Sequence, residues 1–422
     1  MLDAFQIIQS IIYAISLYYV VFWLLVLLEG NEKGNLGKKL KAYPHVTIVV
    51  PAYNEGNNIE ETLDGIAALD YPKDKVSIIV IDDGSKDKTY ELAKKYAEKA
   101  KKKFNFKSFT VFTQKNQGKY MALNNALKHV TTPFFAVLDA DSIPKSDALR
   151  KLMSCFEEEV AAVSPVLKVY KPKNPLQKMQ LFEYSVNFFY RGLIARLNAV
   201  HVTPGPLSVY RTEVIKKLGG FKEAHKVEDM EIAMRLQKKN YRIVQCDDAF
   251  VYTKAPSSLK LWMKQRHRWN YGTFKNIIDY KSMIFNREYG DFGFFQLPIV
   301  VLSGLLGVVV LGLIVHSLWI GIRNLFKNLV VYNFDIIKYL STRKFDIILL
   351  DINLRSLAFI VGFFILTLFV MWMSLRLYKN KGSLKRIASF IMYLFFYYLL
   401  IAIVWVIVYK DVLLRRKSTW KK

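Results

Sequence analysis

The sequence predicts an α/β domain with a doubly wound, mostly parallel sheet, held to a membrane by about four α-helical spans and by interfacial amphipathic helices. Three observations predict it. Short apolar runs at Val46–Val50, Val76–Ile81, Phe109–Phe112 and Phe134–Leu138 alternate with helical patterns, which argues parallel strands joined by right-handed crossovers. Four segments, Ala4–Leu28, Phe292–Ile322, Ser356–Leu375 and Ile387–Tyr409, contain no Asp, Glu, Lys or Arg. Each reaches the roughly 20 residues a helix needs to cross about 30 Å of hydrocarbon, where one charge costs on the order of 3 kcal/mol. Finally, the fourth apolar run stops at Asp139 and Asp141, the end of a strand at which open α/β sheets hold their ligands.

In chain order, Ala4–Leu28 has no basic residue before it, and Leu27-Leu28-Glu29-Gly30 lacks a small-x-small cleavage pattern. It reads as an uncleaved span rather than a signal peptide. Lys38, Lys39 and Lys41 follow, which puts the next stretch of roughly 260 residues on the cytoplasmic side. The basic loop Arg376–Arg386 fits that side, whereas four spans leave the tail Arg415-Arg416-Lys417 on the other, against the rule. Val46–Val50 closes in Pro51-Ala52-Tyr53-Asn54-Glu55-Gly56, after which Asn57 or Asn58, with Glu60 or Glu61, is expected to form a capping box. Val76–Ile81 runs into Asp82-Asp83-Gly84-Ser85 and a Lys-rich helix from about Lys88 to Lys102. Phe109–Phe112 leads to Asn116-Gln117-Gly118-Lys119 and another helix.

Asp139 and Asp141, two apart in extended chain, point to one side. Such a pair of hard oxygen ligands suits Mg²⁺ or Mn²⁺ held against a substrate diphosphate, and neither acid has a basic neighbour in sequence. Asp83 could accept a bond from a base N–H, Glu55 could meet base or ribose, and Lys119 a charged or carbonyl oxygen. No Gly-x-Gly-x-x-Gly and no Walker loop occurs, which favours a metal-bridged diphosphate over a glycine cradle. Each of these residues alone is an ordinary turn residue. At successive strand ends of one sheet they point together to a nucleotide.

Val227-Glu228-Asp229 opens a helix continued by Met230, Met234 and Leu236, and acids at that end gain roughly 0.3–1 kcal/mol from the helix dipole. Gln265–Trp269 lies on an amphipathic helix from about Ser257 to Ile278, of the kind that rests on a membrane surface. There Gln265, Arg268 and Trp269 share a face, Arg268 able to pair with phosphate oxygens and Trp269 able to stack on a sugar. Asn174–Leu197 reads equally as a second interfacial helix or as a core helix. The formal charge of +26 would suit nucleic acid, but no nucleic-acid module is visible. Residues 376–422 hold 11 Lys or Arg against one Asp, so membrane lipids are the simpler partner, with an anionic substrate second. Cys155 and Cys246 read as two buried thiols, and the six histidines lack zinc-ligand spacing.

Pro51-Ala52-Tyr53-Asn54-Glu55, Asp82-Asp83-Gly84-Ser85, Asn116-x-Gly118-Lys119 and Asp139-Ala140-Asp141 resemble the nucleotide-binding half of family 2 glycosyltransferases with a GT-A fold. Gly205-Pro206-Leu207-Ser208-Val209-Tyr210-Arg211, Val227-Glu228-Asp229 and Gln265-Arg266-His267-Arg268-Trp269 match the second half, which resembles hyaluronan, chitin, cellulose and poly-N-acetylglucosamine synthases. The resemblance covers about residues 44–275, and it departs at Val227, where the family usually has Thr, Ser or Ala.

The resemblance implies a plasma-membrane, multi-pass, inverting enzyme. It would take a UDP-sugar and a divalent cation to extend a β-linked polysaccharide, with the spans as exit channel. It divides the chain into a first span (1–29), a cytoplasmic catalytic domain (30–256), an interfacial helix (257–290) and a C-terminal membrane region with a basic tail (291–422). Asp229 becomes the general base, with Gln265, Arg268 and Trp269 holding the diphosphate and acceptor. Glu55, Asp83, Lys119, Asp139 and Glu228 meet the donor, and Asp139 and Asp141 the metal. Four spans are fewer than those synthases usually have, so a channel would need a second copy, as a homo-oligomer, or a partner. Two rivals remain: a transferase of one sugar to a membrane lipid, and an inactive transport or assembly subunit.

Overall fold

The computed structural model describes residues 4–29, 40, 42–342, 354–378 and 387–416. Lys38, Lys39, Lys41 and the tail beyond Arg416, on which the orientation was argued, lie outside the described residues. Helix α1 (Ala4–Glu29) is followed by β1 (Val46–Ala52), α2 (Ile59–Ala67), β2 (Val76–Asp82), α3 (Thr89–Lys103), β3 (Ser108–Thr113), α4 (Lys119–His129) and β4 (Phe134–Val137). These four strands lie in the order β3-β2-β1-β4, all parallel, as the alternating pattern predicts.

The sheet then changes character. It continues through β5 (Ser142–Pro144), α5 (Ala148–Ser154), β6 (Val160–Val169), α6 (Pro175–Arg196), β7 (Ser208–Arg211), α7 (Thr212–Lys217), α8 (Glu228–Lys238) and β8 (Arg242–Thr253). The full order is β3-β2-β1-β4-β7-β6-β8-β5, with β7 antiparallel to both β4 and β6. The result is a GT-A arrangement: a parallel half joined to a mixed half at β4.

Alternation along the strands builds both cores. Ile48, Val50, Ile78 and Val80 pack on one face against Leu63 of α2, Ala97 of α3 and Leu152 of α5. Val49, Ile79, Phe135 and Val137 pack on the other against Leu123 of α4 and Met230 and Met234 of α8. Being buried on both faces is why these strands read as largely apolar runs, in which Thr47 and Ser77 are buried as well. Cys246 is buried and Cys155 half-buried, and their sulfurs lie 2.7 Å apart as thiols.

Helix α9 (Leu259–Asp279) is capped by Ser258, whose hydroxyl accepts from the Leu261 N–H at 3.3 Å. Helices α10 (Leu297–Val331), α11 (Ile336–Thr342), α12 (Leu354–Leu377), α13 (Ile387–Met392) and α14 (Tyr398–Leu413) complete the described chain. Among the described residues three helices are long and apolar enough to cross a membrane: Ser10–Glu29, Phe292–Val331 and Ala388–Leu413. Val361–Leu377 is a shorter apolar stretch that overlaps the expected span Ser356–Leu375. At 35 residues, α10 is about 50 Å long, so it outruns the hydrocarbon by several turns. The irregularity expected of this span lies just before α10, in a π-turn at Phe292–Gln296. Gly304 allows close packing: a Cβ there would lie 2.9 Å from the Trp405 indole of α14.

Helix α6 settles as a packed helix rather than a surface one. Asn174 and Gln177 form a capping box, and Phe182, Phe188 and Phe189 are buried.

Candidate active site

The carboxyl ends of β1, β2 and β4 fall on one edge of the sheet, and each sends a loop to the same place. Because β7 runs antiparallel to β4, pairing Ser208 with Val137, the segment before β7 arrives there too. Gly205 lies so close that a Cβ would sit 2.6 Å from Asp139 Oδ2 and 2.8 Å from Lys119 Nζ. The sequence motif around Gly205 was visible, but its contact with Asp139 follows only from the antiparallel pairing.

Asp139 and Asp141 do not form the expected extended pair. β4 ends at Val137, and β5 leaves to pair antiparallel with β8, so the chain reverses in a turn closed by the Ser142 N–H to the Asp139 carbonyl at 3.0 Å. The carboxylates still feel each other. Burial and the Asp139 charge raise Asp141 to about 6.

Nor does the pair lack a basic neighbour. Lys119, the first residue of α4, puts its Nζ 2.7 Å from Asp139 Oδ1 and 2.9 Å from Glu228 Oε1. Burial opposes the ammonium charge, but Asp139, Glu228 and Asp229 together outweigh it and hold Lys119 protonated. Sequence could not show this, because α4 follows β3 and α8 lies more than a hundred residues on.

Asp83 is buried and accepts from Gln114 Nε2 at 2.8 Å, Gln117 N–H at 3.0 Å and Gly118 N–H at 2.9 Å. Three of its roughly four acceptor positions therefore pin the loop that delivers Lys119, leaving about one for a ligand. Glu55 is buried and takes the Asn58 side-chain amide at 2.6 Å. The expected capping box at α2 is absent. The Glu55 carbonyl already accepts the Asn58 and Ile59 N–H groups at 2.8 and 2.9 Å, and the Asn58 side-chain oxygen takes Lys254 at 2.8 Å.

Two adjacent acids open α8 and titrate apart. Burial would raise Glu228, but Lys119 pulls it below the ordinary range. Asp229, raised by burial and by Glu228 against the pull of Lys119 and Arg268, reaches about 6. Arg268 reaches the same place from α9, its guanidinium donating to the Lys226 carbonyl at 2.7 Å. Gln265 accepts from Arg266 at 2.5 Å, and half-buried Trp269 has one ring face covered by the Arg266 guanidinium, 4.2 Å from its centroid. Arg266 itself was quoted in the motif but given no role by the sequence.

Among the described residues no three His, Cys, Asp or Glu converge as a metal cage. Asp139 and Asp141 nevertheless fit a cation that keeps most of its shell for phosphate and water, as Mg²⁺ does with one or two carboxylates. Their mutual repulsion is what such a cation would relieve.

Residues 134–410 match the family described as Glycosyl transferase family group 2, and residues 47–219 match Glycosyl transferase family 2. The chain belongs to the family 2 glycosyltransferases. It is a glycosyltransferase with membrane helices, similar to the Bacillus subtilis (strain 168) protein named Probable glycosyltransferase YdaM, 27% identical over 77% of this chain and 82% of that one. It is 29% identical to the Poly-beta-1,6-N-acetyl-D-glucosamine synthase of Staphylococcus aureus (strain MSSA476), over 61% of this chain and 62% of that protein's length. Among solved structures, the Mannosyltransferase PcManGT from Pyrobaculum calidifontis, in complex with GDP-Man and Mn²⁺, superposes with a TM-score of 0.53 at 24% identity. That match covers 66% of this chain and 74% of the other. For this glycosyltransferase, the likeness fixes the fold.

Proposed function

We propose that this glycosyltransferase takes a UDP-sugar of the N-acetylglucosamine or glucose type and elongates a β-linked polysaccharide with inversion, its catalytic domain on the cytoplasmic face of the plasma membrane. The observation that carries the reaction is the split pair Glu228–Asp229: one acid is tied to Lys119, and its neighbour titrates at about 6. A base poised near neutral pH is what removal of an acceptor hydroxyl proton calls for, an effect worth about 10²–10⁴ in rate. Glu228 is tied to Lys119, and Asp141, which is also raised to about 6, is assigned to the metal. One base remains in Asp229, and that favours one in-line displacement and hence inversion.

Glu55 and Asp83 would meet the nucleoside, Lys119 and Arg268 the diphosphate, and Gln265 and Trp269 the acceptor. Asp139 and Asp141 would hold Mg²⁺ or Mn²⁺, which when bound supplies charge neutralisation at the donor diphosphate. The polymer reading is supported by the name of the S. aureus relative and by apolar helices packed beside α9, Trp262 Nε1 donating to the Tyr397 hydroxyl at 2.9 Å.

The test is purified protein in lipid vesicles, given a panel of labelled UDP-sugars, with the product sized. A ladder or high-mass smear that a matching glycanase degrades supports the synthase. One organic-extractable glycolipid carrying a single sugar overturns it in favour of a lipid acceptor.

A further inference from the structure

Arg266 is 2% exposed, and the carboxylate it faces is Glu183 of α6. Its Nε donates to Glu183 Oε1 at 3.1 Å, and its Nη2 to Glu183 Oε2. The Tyr397 hydroxyl, from the last membrane span, donates to the same Oε2 at 2.5 Å and receives the Trp262 indole N–H at 2.9 Å. The other side of the guanidinium serves α9, where Nη1 reaches Gln265 and the cation lies over the Trp269 ring. Desolvating an ion pair this fully is expensive, and an apolar cluster of the same volume would stabilise the fold as well or better. The pair therefore calls for a role besides stability.

The span itself is altered at the point of contact. Tyr393–Tyr397 form a π-turn, which brings the two tyrosine rings to 5.2 Å and turns both inward. Such single turns recur at functional sites in helices.

We propose that Arg266 is a positioning residue through which Glu183 and Tyr397 set the orientation of Gln265 and Trp269, coupling the last span to acceptor handling. A shift of the span would be felt at Trp269 without passing through the nucleotide site. This inference rests on the reading that Gln265 and Trp269 serve the acceptor.

The experiment is a double-mutant cycle on initial transfer rates in lipid vesicles, with Tyr397→Phe and Trp269→Phe made singly and together, and UDP binding measured by calorimetry. Tyr397→Phe removes one hydroxyl and keeps the ring, so the fold is expected to survive. Arg266→Lys serves as the second variant, because it keeps the charge and loses the two-pronged bond to Glu183. Tyr397→Phe should slow transfer about fivefold or more in the native background but less than about twofold when Trp269 is already Phe, the non-additivity expected of coupled residues. Arg266→Lys should lower kcat at unchanged UDP affinity. Additive effects of Tyr397→Phe and Trp269→Phe, or full activity of Arg266→Lys, would overturn the inference. Trp269→Phe with native rates would instead fail the underlying reading of α9, a separate and distinguishable outcome.

Discussion

Asp229→Asn should abolish transfer and make the protein more stable at the same time. The carboxyl titrates at about 6 against an ordinary 3.8, so the folded state binds its proton more tightly than the unfolded chain does. For an acid raised in this way, stability is greatest below the unfolded pKa and falls as pH rises through the folded one. Above pH 7 the native state therefore bears the full cost of the charge. About two pKa units correspond to about 3 kcal/mol, and partial exposure reduces that to about 1–2 kcal/mol. The lost attraction of a carboxylate for the N-terminus of α8 acts in the opposite sense, by about 0.3–1 kcal/mol. Burial wins, and melting should rise by about 2–4 °C for a domain of this size. Transfer should drop about 10²–10⁴-fold, while UDP affinity measured by calorimetry stays near the native value. In the native enzyme, activity should fall as pH drops below about 6. A variant that melts lower and keeps transfer within about tenfold of native would refute both the buried charge and its role as base.

Three further outcomes follow from the same geometry. Gly205→Ala should cost donor turnover at least about 10²-fold with the fold retained, because the new methyl would lie 2.6 Å from Asp139 Oδ2; turnover and circular dichroism together check it. Exhaustive chelation should stop turnover, and added Mg²⁺ or Mn²⁺ should restore it, whereas undiminished turnover would mean that Lys119 alone neutralises the site. Gly304→Val should lower the melting temperature in detergent through about 1–3 kcal/mol of overpacking against Trp405, without moving UDP affinity.

Much of the fold was legible because its signals are local. Val46–Val50, Val76–Ile81 and Phe134–Leu138 are apolar except at Thr47 and Ser77, both buried, since a parallel strand covered on both faces has no solvent side. Spans are legible for a similar reason, as hydrocarbon tolerates almost no charge along a stretch of about 20 residues. The candidate residues were legible as types at strand ends, for Asp139, Asp83, Glu55 and Asp229 all stand where a strand stops or a helix starts.

What the sequence by itself determined, then, was the set of elements and the groups they carry to one edge of the sheet. What only the tertiary structure decided was how those groups pair. Lys119 bridging Asp139 and Glu228, Asp83 committed to the loop before α4, and Arg266 buried between Glu183 and Tyr397 each join residues from distant elements. The turn at Asp139–Ser142 depends on where β5 finds its partner in β8. Charge pairing falls off over a few ångströms and is indifferent to distance along the chain, so it cannot be read until packing has set which side chains meet.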